Sequence, residues 1–308
     1  MSIWSRLIGR KKPGTPAERS SSVGETEAGP ASGTGDVAPK AFEVAASVRT
    51  DVGCVRESNE DSATFTRPKD AQTLAAKGVL ALVADGMGGC SGGEIASAMA
   101  INSVPRTYYA SELRPHEALK EAFEKVNQEI FAAAASDPEL AGMGTTGVAL
   151  AISGNQAFAA YVGDSRLYLI RAGRIYLMTQ DHSVVNDMVC KGLLTPEEAR
   201  NHEDRNVLFR SLGGRPEVEV STWDAPLELR DDDRFLLCSD GLHDLVEDSE
   251  ILTTVLSQDN DSSPLNLIQM AKHRGGYDNV TVALIHVHSG NGLPAADAKA
   301  TREIRIPS

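Results

Sequence analysis

The stretch Gly78-Val-Leu-Ala-Leu-Val-Ala-Asp-Gly-Met-Gly-Gly89 carries the clearest fold signal in this sequence. Its first half is a continuous apolar run, typical of a buried β-strand, and it leads directly into Asp85-Gly86. A glycine there permits a tight turn and a close backbone approach, so the Asp85 carboxylate would project from the edge of a sheet. The stretch Phe235-Leu-Leu-Cys-Ser-Asp-Gly-Leu242 repeats this arrangement.

Two further acidic clusters, residues 56–61 (RESNED) and 277–280 (YDNV), also combine acids with asparagine. If the clusters meet, several carboxylates share one site, which would raise their pKa values and destabilise the fold unless cations balance them. Carboxylate oxygens without histidine or cysteine suit Mg²⁺ or Mn²⁺ better than zinc. A single Asp-Gly is more often an ordinary β-turn, and spacing alone leaves both interpretations open.

Composition excludes several classes of protein. The formal net charge is −13, and the acidic excess lies in residues 41–288, which argues against nucleic-acid binding. No apolar run has the length of a membrane span, and the N-terminus lacks the apolar core of a secretory signal. The four cysteines form no CxxC pair, so we expect small buried thiols in a reducing cytoplasm; they are Cys54, Cys90, Cys190 and Cys238.

The chain divides by composition into four segments. Residues 1–12 place Ile3, Trp4, Leu7 and Ile8 on one helical face among basic residues, which predicts weak peripheral contact with an anionic inner-membrane surface; a frayed basic leader is the alternative. Residues 13–40 are rich in Gly, Pro, Ser and Thr and are predicted to be a disordered linker. Residues 41–288 form one dense domain, and 289–308 are a predicted flexible tail.

Within residues 41–288 the pattern predicts an α+β fold of mainly antiparallel sheets covered by helices. Helices are predicted to begin near a capping box at Ser91–Glu94, over 116–131, at a capping box starting at Thr195, and at a cap on Asp248. The predicted strands are residues 44–48, 78–84, 146–152, 157–162, 166–171, 218–222, 234–238 and 280–287.

These motifs, in this order, resemble the metal-dependent protein serine/threonine phosphatases of the PP2C (PPM) family, in particular its bacterial members. The resemblance implies a four-layer α-β-β-α sandwich. It covers essentially all of residues 45–288 and rests on TDVGCVRESNEDS (50–62), VADGMGG (83–89), MGTTGVAL (143–150), YVGDSR (161–166), LMTQDHS (177–183), LFRSLGG (208–214), LLCSDGL (236–242) and YDNVTV (277–282).

The resemblance implies two Mn²⁺ or Mg²⁺ ions and assigns their ligands. Asp85 would bridge both ions, the Gly86 carbonyl and Glu60 would bind the second, and Asp240 and Asp278 would bind the first. Asp164 resembles the position that, with Asp240, holds a third, weaker ion.

Other roles also follow from the resemblance. Asp61 would orient metal-bound water, Arg56 would clamp the phosphate with its guanidinium fork, and Asn279 would be a neighbouring polar group on the ligand or the substrate side. A surface salt bridge to Glu57 or Glu60 is the alternative for Arg56.

The implied reaction is direct hydrolysis of phosphoserine or phosphothreonine by a metal-bridging hydroxide. Met87 stands where animal members carry a histidine proposed as the general acid. His182 is a possible substitute, although an imidazole fixed by Asp181 or a backbone carbonyl is the interpretation we favour. Residues 183–213 correspond to the mobile flap of the family.

The expected partners are phosphorylated proteins, among them a Ser/Thr kinase or a forkhead-associated-domain protein, and the enzyme is expected to be a monomer. Two other functions stay open at this point. One is a catalytically silent regulatory scaffold of the same fold, and the other is a phosphatase for small phosphate esters.

Overall fold

The computed structural model describes residues 42–88 and 92–289. The strands of these residues are β1 (Phe42–Asp51), β2 (Asp61–Thr66), β3 (Val79–Met87), β4 (Gly144–Thr145), β5 (Gly147–Ser153), β6 (Gln156–Val162), β7 (Arg166–Arg171), β8 (Arg174–Leu177), β9 (Ser221–Thr222), β10 (Leu227–Glu228), β11 (Asp233–Cys238) and β12 (Val280–Ser289). The α-helices are α1 (Ala71–Lys77), α2 (Gly92–Ala110), α3 (Pro115–Ser136), α4 (Val184–Cys190), α5 (Pro196–Arg200), α6 (Asp240–His243), α7 (Asp248–Ser257) and α8 (Ser262–His273).

The strands form two sheets in which neighbouring strands run antiparallel. The first sheet has the order β1-β12-β11-β7-β8, and the second has the order β10-β6-β5-β3-β2, with β4 paired to β3 and β9 paired to β6. The hairpins β5–β6 and β7–β8 are joined by short turns, and β6 continues into β7 across the turn at residues 163–165, which links the two sheets.

Alternation along each strand divides its side chains between two layers. On β3, Leu80 and Leu82 pack with α2 and α3, whereas the intervening buried residues face away from those helices. On β11 and β12, Leu236 and Leu284 pack with α7 and α8 in the same way. Since β3 also packs against β11 and β12, the two sheets lie face to face between outer helices. The four-layer α-β-β-α sandwich is thus confirmed.

Several predicted elements need correction. The predicted strand 218–222 is reduced to β9, Ser221–Thr222, which pairs only with β6. The helix α7 begins at Asp248, but its cap is Glu247, whose backbone N–H donates to Glu250. The elements that were not predicted are α1, α4, α6, α8, β2, β4, β8 and β10. The reason for β2 is that it lies at the edge of its sheet and carries the mostly polar sequence DSATFT.

The thiols also differ from expectation. Cys238 is buried on β11, but Cys54 and Cys190 are free and exposed, because they lie in a loop and at the end of the short helix α4. The predicted segments 1–12 and 13–40, the residues Cys90 and Ser91, and the tail beyond Ser289 lie outside the described residues. Among the described residues, no helix combines the length and apolar character needed to cross a membrane.

Candidate active site

The acidic motifs converge at one end of the sandwich because four strands begin or end there. Asp61 and Asp85 stand directly opposite each other in the β2–β3 ladder. Asp240 opens α6 just after β11, and Asp278 precedes β12, which pairs with β11. Asp164 lies in the β6–β7 turn, beside the end of β11. Residues separated by more than 200 positions are thereby brought to one edge.

The loop at residues 52–60 carries Arg56 and Glu60 and is fastened by Asn279. The Asn279 Nδ2 donates to the Val52 carbonyl at 3.0 Å and to the Ser58 carbonyl at 2.9 Å. Its Oδ1 accepts from the Glu60 backbone N–H at 2.8 Å. The side-chain amide is buried and fully engaged with this loop. Its position therefore favours the ligand-side role over a substrate contact.

Gly86 and Gly93 allow the end of β3 and the Glu60 side chain to pack closely against the start of α2. The Gly86 N–H donates to the Glu60 carbonyl at 3.1 Å. A Cβ on Gly86 would lie 2.1 Å from the Gly93 carbonyl oxygen, and one on Gly93 would lie 2.8 Å from Glu60 Cδ. No larger residue fits at either place without displacing backbone or the Glu60 carboxylate. The role of Gly93 was missed, since the sequence indicated only a helix start there.

The backbone of Asp85 is held by two threonines of the MGTTGVAL motif. The Asp85 N–H donates to Thr146 Oγ1 at 3.0 Å, and its carbonyl accepts from Thr145 Oγ1 and from the Thr146 N–H, both at 2.8 Å. Thr146 Oγ1 also lies 2.7 Å from Ser165 Oγ, next to Asp164. These buried hydroxyls fix Asp85 and link it to the β6–β7 turn.

The carboxylates of this site lack enough donors to neutralise them. Asp61 Oδ2 accepts from Ser239 Oγ at 2.7 Å, but Asp61 Oδ1 and Asp240 Oδ1 are buried without a hydrogen-bond partner. Burial raises the pKa of Asp61 to about 6 and that of Asp240 to about 7, and repulsion by Asp278 adds to both. Burial, with repulsion from Asp61 and Asp240, raises the pKa of Asp85 well above its ordinary value. Such a site attracts cations.

Asp164, the predicted ligand of a third ion, also has a raised pKa. Burial raises the pKa of Asp164 to about 7, repulsion by Asp240 adds to the rise, and His243 opposes it. Burial also raises the pKa of Glu60, and Arg56 opposes that rise.

We expect the free energy of unfolding of the metal-free protein to fall as the pH rises from about 4 to about 7. Unfolded aspartates release their protons near pH 3.8, whereas Asp164 and Asp240 hold theirs in the folded state to about 7. The folded state therefore binds more protons in this window, and its advantage is lost as the pH rises through it. Urea unfolding in EDTA at about pH 5 and about pH 8 measures the slope.

The matched variant for this measurement is Asp240→Asn, which removes one titrating group and should make the slope shallower. Saturating Mn²⁺ should reverse the loss at the higher pH for the unaltered chain. Equal slopes for the two proteins would contradict the attribution to Asp240.

The donor set fits a divalent ion that prefers oxygen, since the site offers carboxylates and the Gly86 carbonyl. Repulsion by Asp61, Asp240, Asp164 and Asp278 adds to the rise in the pKa of Asp85, so Asp85 lies near all four of these acids. Within residues 42–88 and 92–289, no three His, Cys, Asp or Glu side chains are arranged to hold a metal ion as they stand.

Arg56 stands at the mouth of the site. Its Nη2 donates to Asp278 Oδ2 at 2.8 Å, and its side chain is 50% exposed. This hydrogen bond raises the pKa of Arg56 further above its ordinary value. The partner is thus Asp278, not the Glu57 or Glu60 considered from the sequence. A half-exposed guanidinium next to a buried acidic cluster is well placed to bind an incoming anion.

His182 is held by the β6–β7 turn and by Ser221 of β9. Its Nδ1 accepts from the Gly163 N–H at 3.0 Å, and Nε2 lies 3.1 Å from Ser221 Oγ. The expected partner Asp181 instead pairs with Arg166 at 2.6 Å. Burial lowers the pKa of His182 to about 4. A neutral imidazole with both nitrogens engaged holds the fold together and does not replace the acid that Met87 cannot supply.

The predicted flap, residues 183–213, is closed on itself and is paired with the sandwich near its C-terminal end. Ser183 forms a bridge with Leu208 inside the segment, and Leu212 forms one with Thr145 of β4 through backbone bonds of 3.0 and 2.8 Å. Within the loop that the Ser183–Leu208 bridge closes, Val185 is buried, whereas Leu193 is 69% exposed. The middle of the segment is therefore less tightly packed than its ends.

A residue that the sequence did not point to, His243, also lies at this site. It is buried, and its Nε2 lies 3.1 Å from the Asp164 carbonyl oxygen. Its Nδ1 lies 3.4 Å from Asp244 Oδ1. Burial would raise the pKa of Asp244, but contact with His243 lowers it below its ordinary value. The only sequence signal was a histidine three positions after Asp240, one helical turn away.

Comparisons with known proteins agree on one family. Residues 57–261 match the family model described as Protein phosphatase 2C. The serine/threonine phosphatase stp of Listeria welshimeri is 37% identical over 248 residues, covering 78% of this chain and 94% of that protein.

Solved structures give the same result. The Streptococcus agalactiae serine/threonine phosphatase matches with a TM-score of 0.71 and 34% identity, covering 79% of this chain and 99% of that one. The catalytic domain of the serine threonine protein phosphatase PstP, in complex with two manganese ions, matches with a TM-score of 0.68 and 35% identity. That match covers 80% of this chain and 99% of the PstP chain.

Proposed function

The chain belongs to the protein phosphatase 2C family and is a serine/threonine protein phosphatase, and we propose that the carboxylates described above hold the divalent ions on which its activity depends. The observation that carries this proposal is the cluster of buried carboxylates with unpartnered oxygens and raised pKa values. A cation would neutralise their charge and occupy their free oxygens.

The ligands proposed are those that the family resemblance implies, and the cluster supports them. Asp85 is affected by the charges of Asp61, Asp240, Asp164 and Asp278, and we assign it to two ions. Glu60 and the Gly86 carbonyl serve one ion, and Asp240 and Asp278 serve the other. Mn²⁺ is the ion to test first because the related PstP structure holds it. When bound, such ions supply a water-derived nucleophile at neutral pH and neutralise charge on a phosphoryl group.

The remaining residues orient the reactants. Asp61 Oδ1 is free of protein donors and can accept a proton from attacking water, while Ser239 fixes the other carboxylate oxygen. Arg56 would exchange its contact with Asp278 for the phosphate oxygens of the substrate. Asn279 keeps the loop that carries Arg56 and Glu60 in register with β12.

We expect Arg56→Lys to raise KM for a phosphothreonine peptide and to lower kcat/KM about tenfold, because lysine keeps the charge but loses the planar fork. Steady-state kinetics with saturating Mn²⁺ measures this. Arg106→Lys is the control, since Arg106 is exposed on α2 and donates to Glu129 and Ser103, both at 3.1 Å. Equal kinetics for Arg56→Lys and the unaltered enzyme would contradict the clamp.

The direct test of function compares three substrates: a phosphothreonine peptide, p-nitrophenyl phosphate and a sugar phosphate. Each is assayed with Mn²⁺, with EDTA and with the Asp85→Asn variant. Peptide hydrolysis that needs Mn²⁺ and Asp85 supports the proposal. Faster turnover of the sugar phosphate would favour a small-ester phosphatase, and no turnover of any substrate would favour a silent scaffold. Activity that survives EDTA would contradict the metal assignment.

We further propose the natural substrates to be phosphorylated proteins such as a Ser/Thr kinase or a forkhead-associated-domain protein. Phosphoproteomics that compares a deletion strain with a strain carrying the Asp240→Asn enzyme tests this. Asp164 is proposed as a ligand of a third, weaker ion, shared with Asp240, because the charge of Asp240 raises the pKa of Asp164. Peripheral membrane contact through residues 1–12 stays a proposal, to be tested by vesicle co-sedimentation.

A further inference from the structure

The turn between β6 and β7 is one of the connections between the two sheets of the sandwich. On the side of the second sheet it is held firmly: a Cβ on Gly163 would lie 2.6 Å from Thr146 Cγ2, and Ser165 Oγ lies 2.7 Å from Thr146 Oγ1. These contacts fix the turn relative to Asp85, whose backbone the same Thr146 holds. They do not fix it relative to Asp240, which follows β11 of the first sheet.

A second link on that side, besides the β7–β11 ladder that pairs Arg166 with Cys238, is made by His243. The carbonyl oxygen of Asp164 can only accept a hydrogen bond, so the Nε2 at 3.1 Å carries the proton and donates it. His243 ends the four-residue helix α6, which Asp240 begins. The rest of α6 is also fixed, since Leu242 is in the core and a Cβ on Gly241 would lie 2.0 Å from the Asn279 carbonyl oxygen. The helix therefore holds Asp240 and His243 in a fixed position relative to each other.

We propose that His243 is a positioning residue that sets the separation of Asp164 and Asp240, and with it the affinity of the weaker divalent-ion site that these two acids share. This inference rests on the proposed function, because it concerns ions bound at the same site. The physical reason is that a carbonyl tether fixes the backbone from which the Asp164 carboxylate projects. Partners of this kind beyond the ligands change metal affinity about 10-fold to 100-fold when they are removed.

Two substitutions separate the tether from the bulk of the side chain. His243→Gln places an amide N–H close to where Nε2 stands and keeps the donor to Asp164. His243→Asn places its amide near the Nδ1 position and leaves the Asp164 carbonyl without a donor. Calorimetric titration of the EDTA-stripped proteins with Mn²⁺ should show about tenfold weaker binding at the weakest class of sites in His243→Asn, with the tighter sites unchanged. His243→Gln should bind like the unaltered chain.

A double-mutant cycle tests the route through Asp164. In an Asp164→Asn background, His243→Asn should cause no further loss of Mn²⁺ binding, because the site is already incomplete. An equal loss in both backgrounds would overturn the inference. So would equal weakening by asparagine and glutamine, or a titration of the unaltered chain that shows no weaker class of sites.

A measurement on the unaltered protein tests the inference even if the variants fail to fold. Long-range ¹H–¹⁵N spectra of the ¹⁵N-histidine-labelled chain, with His243 assigned by comparison with His243→Gln, report which ring nitrogen carries the proton. A proton on Nε2 supports the tether, and its absence overturns it. Failure of the proposed function would look different, since the unaltered chain would then bind no Mn²⁺ at all.

Discussion

Asp85→Asn should abolish phosphatase activity, by about a thousandfold or more, and at the same time stabilise the metal-free protein at about pH 8. The activity falls because Asp85 is the carboxylate on which both proposed ions depend. The stability rises because burial and the charges of Asp61 and Asp240 raise the pKa of Asp85, so the ionised form is unfavourable in the folded state. An asparagine removes that charge and can donate to its two neighbours.

The sign of the stability change distinguishes a ligand from a structural carboxylate. An aspartate whose pKa is raised by folding weakens the folded state at every pH above its unfolded pKa, so its removal should raise the free energy of unfolding. Chemical unfolding in EDTA measures this, and the gain should shrink or reverse when Mn²⁺ is added, because only the unaltered chain binds the ion fully.

The matched control is Asp233→Asn on β11. Asp233 is completely buried, but both of its oxygens accept from Arg171, at 2.7 and 2.6 Å, and one also accepts from the Arg230 N–H at 2.7 Å. Neutralising it leaves the buried Arg171 guanidinium without an opposite charge, although Arg171 still donates to the Glu228 carbonyl. This costs about 3 kcal/mol, while the Mn²⁺ dependence of the remaining activity stays unchanged. If Asp85→Asn destabilised the metal-free chain as Asp233→Asn does, the electrostatic account of the site would be wrong.

The contrast between Asp85 and Asp233 also shows what a sequence can and cannot reveal. Asp85 lies near the end of β3 and Asp233 begins β11, and both strands are mainly apolar and buried. Only the Asp-Gly arrangement marked Asp85, and the family resemblance supplied its role. That Asp61 faces Asp85 depends on the register of β2 with β3, and β2 itself was not predicted, because an edge strand needs few apolar residues.

Positioning residues were the hardest to predict, because their function lies in contacts between distant segments. His243 lies only three residues after Asp240. Its proposed importance comes from its hydrogen bond to the carbonyl of Asp164, which lies in the β6–β7 turn. Gly93 was visible only as part of a helix start. Asn279 was marked by its motif, but the sequence could not say whether it faced the substrate or the protein.

The second large expected effect concerns the role of Asn279. Asn279→Ala should lower kcat/KM about 100-fold and weaken Mn²⁺ binding, although Asn279 is not expected to touch either the substrate or an ion. Its amide makes three hydrogen bonds to the loop at residues 52–60, and alanine removes all of them. Arg56 and Glu60 then lose their common anchor, and displacements of about 1 Å are enough for losses of this size.

The effect should be separable from general destabilisation. Asn102→Ala is the control, because the Asn102 amide is exposed on α2 and donates only to the Ala98 carbonyl of its own helix, at 2.7 Å. Asn279→Asp keeps the acceptor for the Glu60 N–H but loses both donors, so it should fall between the unaltered enzyme and alanine. A further test is Arg56→Lys combined with Asn279→Ala. If Asn279 acts by holding Arg56, the two losses will be less than additive, whereas full additivity would mean that Asn279 acts through Glu60 and the ions alone.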